Sequence, residues 1–274
     1  MRILVLAATG NVGSQLVPHL RAAGHTVRAG TRNPASADFP PDVQVVHTEL
    51  SEPETLVDCL DDIDAVFLLW PLHTGAQLPN ALDLITEHAR RIVFLGTGGI
   101  SDLSFEDQEK LVHGCGIESV VLRPSTFAVN TLWWADEIRT GDIVHGIHGE
   151  LPMCLIHETD IAAVAARVLT ENAHAGVTYT LTGPELLTQA EQVRVIGEVL
   201  GRPLRWAELT SAQARQRLLD DATFPDSFVD VLLDGYTKML AAPRPEITTT
   251  VADITGRPAR SLAEWVTDHL ADFY

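Results

Sequence analysis

A turn of small residues, Ala7-Ala8-Thr9-Gly10-Asn11-Val12-Gly13, is the segment of this chain best suited to chemistry. Gly10 and Gly13 lack Cβ atoms, so a diphosphate can approach the backbone and accept N–H bonds at a helix N-terminus. Glycines in this pattern also make ordinary turns. Their weight here comes from the apolar run Arg2 to Ala7 before them and the helical stretch Val12 to Ala23 after them, the strand–turn–helix setting that a dinucleotide needs. The end of the next strand bears on cofactor choice. A preference for NAD requires a carboxylate there, on the ribose 2′-OH. The chain instead reads Ala29-Gly30-Thr31-Arg32-Asn33. The planar fork of Arg32 suits a 2′-phosphate, which favours NADPH over NADH; the alternative is a solvated surface arginine.

The other chemically capable residues are weaker candidates. His145, His148 and His157 lie close together in the sequence, but His145-x-x-His148 is interleaved with Gly146 and Gly149 and reads as a loop. No third ligand is implied, so no metal site is expected. His157 precedes a helix that starts near Asp160. Either His157 faces a cleft as an acid/base near neutral pH, or it packs while Asp160 occupies the helix's first turn. His73 and His113 are similar. Trp133-Trp134, with Phe127 nearby, could wall an aromatic pocket or simply pack. Without a Gly-x-Ser-x-Gly elbow, the α/β-hydrolase reading fails.

These residues need elements to hold them. Strands are expected at residues 2–7, 25–29, 43–47, 65–69, 92–95 and 119–122, and helices at 12–23, 51–60, 75–89 and 105–112. Ser51 and Glu54 form a capping box for the second of those helices. Alternation at these lengths predicts a doubly wound parallel α/β sheet of Rossmann type. Residues 159–170 and 188–200 read as helices, the latter with a Thr188/Glu191 capping box; Ser261 and Glu264 open the last helix in the same way. Residues 177–181 alternate as a strand, and 211–240 look helical. A boundary near residue 125 is expected. Residues 1–125 would form the nucleotide-binding domain and 126–274 a small mixed α/β C-terminal lobe, with excursions of the chain between the two.

Length and charge narrow the function. A chain of 274 residues, 46% hydrophobic and 20% charged, has enough apolar surface for a core without staples. The net charge of −18 argues against direct nucleic-acid binding and is compatible with a basic protein partner. Cys59, Cys115 and Cys154 are widely spaced, which predicts a reduced, cytoplasmic protein; Cys59 and Cys115 read as buried spacers. No targeting segment is seen, and no run has the length of a membrane span.

Several segments together resemble a known family. Ala8-Thr9-Gly10-Asn11-Val12-Gly13, Thr31-Arg32-Asn33-Pro34, Asp64-Ala65-Val66-Phe67, Leu122-Arg123-Pro124-Ser125-Thr126-Phe127 with Asn130, Asp160-Ile161-Ala162 and Tyr179-Thr180-Leu181-Thr182-Gly183-Pro184 are similar, in order and spacing, to the NmrA-like branch of the atypical short-chain dehydrogenases/reductases. The resemblance implies an NAD(P)-binding Rossmann domain with a small C-terminal lobe. It places Thr9, Gly10, Asn11, Val12 and Gly13 at the pyrophosphate and Arg32 at the 2′-phosphate. Leu69 and Trp70 would pass the adenosine ribose and pyrophosphate. Thr97 would lie near the nicotinamide, and Pro124 would flank it beside the substrate entrance. Thr97 and His157 are the candidate catalytic groups.

Two departures from the pattern matter. The loop of relatives begins with glycine, where this chain has Ala7; the added Cβ implies a strained backbone and weaker cofactor binding. Many relatives carry a Tyr-x-x-x-Lys pair for proton transfer, and those positions fall here on Ser101 and Phe105. The expected function is therefore an NADPH-binding oxidoreductase acting on a small aromatic or quinonoid molecule, one that needs little enzymic acid. The alternatives are a dinucleotide-sensing regulator that binds a protein partner, and a non-redox cyclase or isomerase on the same fold. Oligomeric state is left open.

Overall fold

Short runs of Val, Ile, Leu and Phe become central strands in the computed structural model because both of their faces are covered, so the runs read as continuously apolar. The structure describes residues 1–72, 74–96, 102–220 and 226–274, with backbone alone at 226–227. The first half contains β1 (Arg2–Val5), α1 (Gly13–Ala22), β2 (Thr26–Thr31), β3 (Gln44–His47), β4 (Ala65–Leu69), α2 (Leu78–His88), β5 (Arg91–Leu95), α3 (Phe105–His113) and β6 (Glu118–Pro124). The second half contains α4 (Ala135–Thr140), β7 (Ile143–Gly146), β8 (Pro152–Met153), α5 (Glu158–Thr170), β9 (Val177–Leu181), β10 (Leu187–Thr188), α6 (Gln189–Leu200), β11 (Arg205–Glu208), α7 (Ser211–Asp220), α8 (Asp226–Ala241), α9 (Thr250–Thr255) and α10 (Leu262–Asp268).

Seven parallel strands form the main sheet in the order β3-β2-β1-β4-β5-β6-β9, the expected doubly wound arrangement with one further parallel strand. Alternation sends Leu4, Leu6, Val66, Leu68, Ile92 and Phe94 to one face, where they pack with Leu78, Leu82 and Ile85 of α2 and Val112 of α3. Their neighbours Ile3, Val5, Phe67 and Val93 are also fully buried and face the other side, which α1 and α5 cover. Each such side chain stabilises the fold by roughly 1.5–3 kcal/mol relative to exposure. Winding changes direction between β1 and β4, so their carboxyl ends open a crevice on one edge of the sheet.

The chain divides into two compact units. The first comprises Met1–Pro124, Glu158–Leu181 and Thr249–Pro258, and the second Ser125–His157, Thr182–Thr248 and Ala259–Tyr274. The second unit is mixed α/β, with a parallel pair β7–β11 and an antiparallel pair β8–β10. Its core includes Ile138, Val144, Leu151, Val193, Ile196, Trp265 and Phe273. Capping boxes form at Thr188/Glu191 and Ser261/Glu264, as their sequences predict.

One local expectation needs correction. The segment after β3 is a 3-10 turn, Pro53–Cys59, without a side-chain cap: the Ser51 N–H goes to the Glu49 carboxylate, so Ser51 does not start a helix. The stretch 211–240 is helical over its described residues, as α7 and α8, and Phe224 lies outside the described residues. No helix among the described residues is long and apolar enough to cross a membrane.

Candidate cofactor and active site

The crevice begins at the turn between β1 and α1. Leu6 N–H bonds to Phe67 O at 3.0 Å and Ala8 N–H to Gly30 O at 2.9 Å, so the turn leaves the sheet only after passing between β4 and β2. Gly10 N–H then closes the turn on Ala7 O at 3.0 Å. A Cβ on Gly13 would overlap Ala7 O and come within 2.7 Å of Ala8 Cα, both of them backbone atoms that cannot yield. Glycine at position 13 is therefore what allows α1 to start against the turn. Val12, at the N-cap, makes no side-chain capping bond. The Ser14 N–H bonds to Gly10 O at 2.9 Å and the Gln15 N–H to Val12 O at 3.1 Å, so an anion would be met by the amides at the very start of α1, around Gly13. Ala7 itself adopts φ +53°, a left-handed conformation that L-residues enter at a cost. The anticipated strain is thus present, and it is carried by Ala7 while the turn keeps its shape.

Thr9 and Asn11 are exposed on the turn, whereas Val12 is buried and can offer only its backbone. Thr9 Oγ1 lies 3.1 Å from Thr31 Oγ1, which ties the turn to the end of β2. Thr31 is a contact the sequence reading missed. Its signal was its place just before Arg32, at the strand end. Arg32 is exposed. Glu49 was also missed, because it reaches the neighbourhood of Arg32 from the end of β3. Strand register pairs Thr31 with His47, and Thr48 N–H bonds to Thr31 O at 3.0 Å, so the two strand exits run side by side. The Ser51 N–H holds the Glu49 carboxyl below the usual carboxylate range, helped by the charges of Arg32 and His47. No acid stands in residues 32–37 directly after β2, yet tertiary structure brings Glu49 close.

Farther along the sheet edge, Leu69 is half-buried and Trp70 is turned inward. The Trp70 indole is 1% exposed within the α2-side core and donates from Nε1 to Thr74 O at 2.9 Å. The apolar ring is held in the core, so toward the crevice Trp70 itself can present only backbone. After β5, Gly96 is bare because a Cβ there would overlap the Phe105 ring. Arg123 lies over the same ring, with its guanidinium carbon 4.6 Å from the centroid, and donates to Glu109 at 2.7 Å. Phe105 thus packs at one of the two proton-transfer positions. Thr97, His73 and Ser101 lie outside the described residues. Pro124 ends β6 half-buried at the same edge.

His157 belongs to the second unit. Its side chain is 3% exposed, with Nε2 3.4 Å from Asp268 Oδ2 and its ring 6.0 Å from that of His269, which stacks on Trp265. A ring so enclosed fits the packing alternative and not the acid/base role, and Asp160 stands in the first turn of α5 as that alternative requires. His145 bonds to Glu137 at 2.7 Å, while the His148 N–H bonds to Glu208 at 2.5 Å. Gly146 and Gly149, each following one of these histidines, clear space for Trp206: a Cβ at Gly149 would sit 2.8 Å from the indole Cδ1. Among the described residues no group of three or more His, Cys, Asp or Glu is placed to hold a metal. In the same unit Trp133 meets Phe228 edge-on at 6.5 Å, while Trp134 packs on Trp206 at 5.7 Å.

Comparison with known proteins accords with this geometry. A family model described as NAD(P)H-binding matches residues 7–198. The chain is 32% identical over 99% of both chains to the (4-alkanoyl-5-oxo-2,5-dihydrofuran-3-yl)methyl phosphate reductase of Streptomyces griseus. It is also 32% identical, again over 99% of both chains, to the NAD(P)H azoreductase of Xenophilus azovorans. Among solved structures, the NADPH-dependent quinone oxidoreductase of Escherichia coli complexed with NADPH superposes with a TM-score of 0.84 at 22% identity, covering 98% of this chain and 100% of that one.

Proposed function

The chain belongs to the NAD(P)H-binding family, in agreement with the NmrA-like resemblance of its motifs, and on that premise we propose that it is an NADPH-dependent oxidoreductase acting on a small aromatic or quinonoid molecule. The observation that carries the reading is the turn before α1, where Gly13 leaves no Cβ beside Ala7 and Ala8 and the helix amides have no side-chain cap. These residues fit a dinucleotide diphosphate. Thr9 and Asn11 line the turn, and Arg32 pairs with the 2′-phosphate. Leu69 and Trp70 contribute backbone beside the ribose and diphosphate, and Thr97 and Pro124 flank the nicotinamide. The nicotinamide, when bound, supplies a hydride.

The protein's own residues bind, orient and exclude water. With Phe105 packed on Gly96 and Ser101 in place of a phenol, no tyrosine–lysine pair delivers a proton. The acceptor is therefore one whose reduced form takes its proton from water, as a quinone or an azo compound does. The relative named as an NAD(P)H azoreductase is compatible with this class. We place the protein in the cytoplasm, where its three free cysteines stay reduced. Calorimetric titration with NADPH and NADH, followed by stopped-flow oxidation of NADPH in the presence of menadione and of an azo dye, tests the reading. Micromolar binding that is tighter for NADPH, with turnover of at least one acceptor, is expected. Absence of binding to either nucleotide refutes it.

A further inference from the structure

We infer that Asp102 is a positioning residue that sets the nicotinamide half of the cofactor crevice, an inference that rests on the cofactor reading above. Asp102 follows β5 and bonds back to the segment that follows β4. Its Oδ1 accepts the Gly75 N–H at 2.6 Å, and its Oδ2 accepts the Thr74 hydroxyl at 3.2 Å. Thr74 is a junction of bonds: its carbonyl accepts the Trp70 indole N–H at 2.9 Å and its hydroxyl accepts the Ala76 N–H at 3.2 Å. Gly75 lies against Leu103, so closely that a Cβ would come within 2.8 Å of the Leu103 Cβ. Both ends of the latch are therefore anchored. Trp70 is rooted in the α2-side core, and Gln108, 2% exposed on α3, donates to Leu103 O at 2.9 Å.

The position of the latch gives it a function. β4 and β5 are neighbours in register, Leu69 opposite Leu95, so their carboxyl ends lie side by side. In an open α/β sheet these ends border the ligand crevice. β4 adjoins β1 and its diphosphate turn, while β5 lies one strand farther from the adenosine end at β2. A carboxylate that accepts a backbone N–H makes a charge-assisted bond, stronger than the neutral bonds around it. Nothing in core packing requires a charge here, because Asp102 and Thr74 are both exposed. What the pair fixes is Asp102 and Leu103, beyond β5, against Thr74 and Gly75, beyond β4. Asp102 need not touch the cofactor to act in this way.

Fragments of the cofactor separate this role from simple stability. The adenosine 2′,5′-bisphosphate moiety reaches the Arg32 end of the crevice only, while NADPH reaches both ends. Asp102→Ala is expected to weaken NADPH binding about tenfold while changing the affinity for 2′,5′-ADP less than about twofold. Thr74→Val, which removes one of the two bonds, is expected to give a smaller loss of the same pattern. Asp102→Asn, which can still accept the Gly75 N–H, should recover most of the NADPH affinity. Equal weakening of both ligands, or no weakening of either, overturns the role of Asp102 and leaves the cofactor reading standing. Wild-type protein that binds neither ligand overturns both.

Discussion

Replacing Ala7 by glycine isolates the one strained residue in the cofactor turn. At φ +53° the alanine methyl is held in the left-handed region, which costs about 1–2 kcal/mol for an L-residue. Glycine removes that cost and adds about 0.4–1 kcal/mol of unfolded-chain entropy. The net is a stabilisation of about 0.8 kcal/mol, the midpoint of the difference. At roughly 2–4 °C per kcal/mol for a chain of this size, the melting temperature should rise by about 2 °C. The same change gives the turn more freedom to settle around a diphosphate, so NADPH should bind more tightly, and the stabilisation by saturating NADPH should grow accordingly. Thermal melts of the free and NADPH-saturated variant, with calorimetry on both proteins, measure these effects. A melting temperature lowered by more than about 1 °C would show that the methyl group packs favourably enough to outweigh its strain, and weaker NADPH binding would show that the strained geometry helps to seat the ligand. Gly13→Ala is the opposite control: its Cβ would meet the backbone of Ala7 and Ala8, so it should abolish nucleotide binding.

Two other perturbations test distinct parts of the molecule. Arg32→Ala should weaken NADPH by about tenfold and leave NADH nearly unchanged, because a charge-assisted pair with the 2′-phosphate is worth about 1.5–3 kcal/mol and the arginine is exposed; equal losses for both nucleotides in a titration would remove Arg32 from the 2′ site. Burial pushes the Tyr236 phenol up to about 12, above the ordinary tyrosine value. The folded protein therefore keeps this proton longer than the unfolded chain does. The resulting stability is intact below about pH 10 and is lost as pH rises toward 12, by at most about 2.7 kcal/mol. Tyr236→Phe should flatten the fall in urea-unfolding free energy over that interval, and an unchanged slope would contradict the assignment.

Local pattern was enough for much of the architecture. The apolar runs that became β1, β4 and β5 could be seen because a strand buried on both faces has almost no polar positions, and the boxes at Thr188/Glu191 and Ser261/Glu264 could be seen because a helix start is satisfied within four residues. The turn from Thr9 to Gly13 was legible for the same reason, since its chemistry lies in adjacent backbone. Ser51 shows the limit of local pattern. It stands at capping spacing from Glu54, but its N–H is taken by Glu49 and the segment tightens to a 3-10 turn.

Residue types and short spacings by themselves determined the alternation of strands and helices, the glycine turn, the arginine at the end of β2 and the want of a tyrosine–lysine pair, because each depends on neighbours along the chain. Tertiary structure alone decided that Trp70 points into the core, that His157 is enclosed beside Asp268, that Glu49 stands near Arg32 and that Asp102 holds Thr74 and Gly75. Those four facts join residues from different strands and loops, and such partners are chosen by which strand ends the parallel register and the packing within each unit bring side by side, a choice that no local spacing encodes.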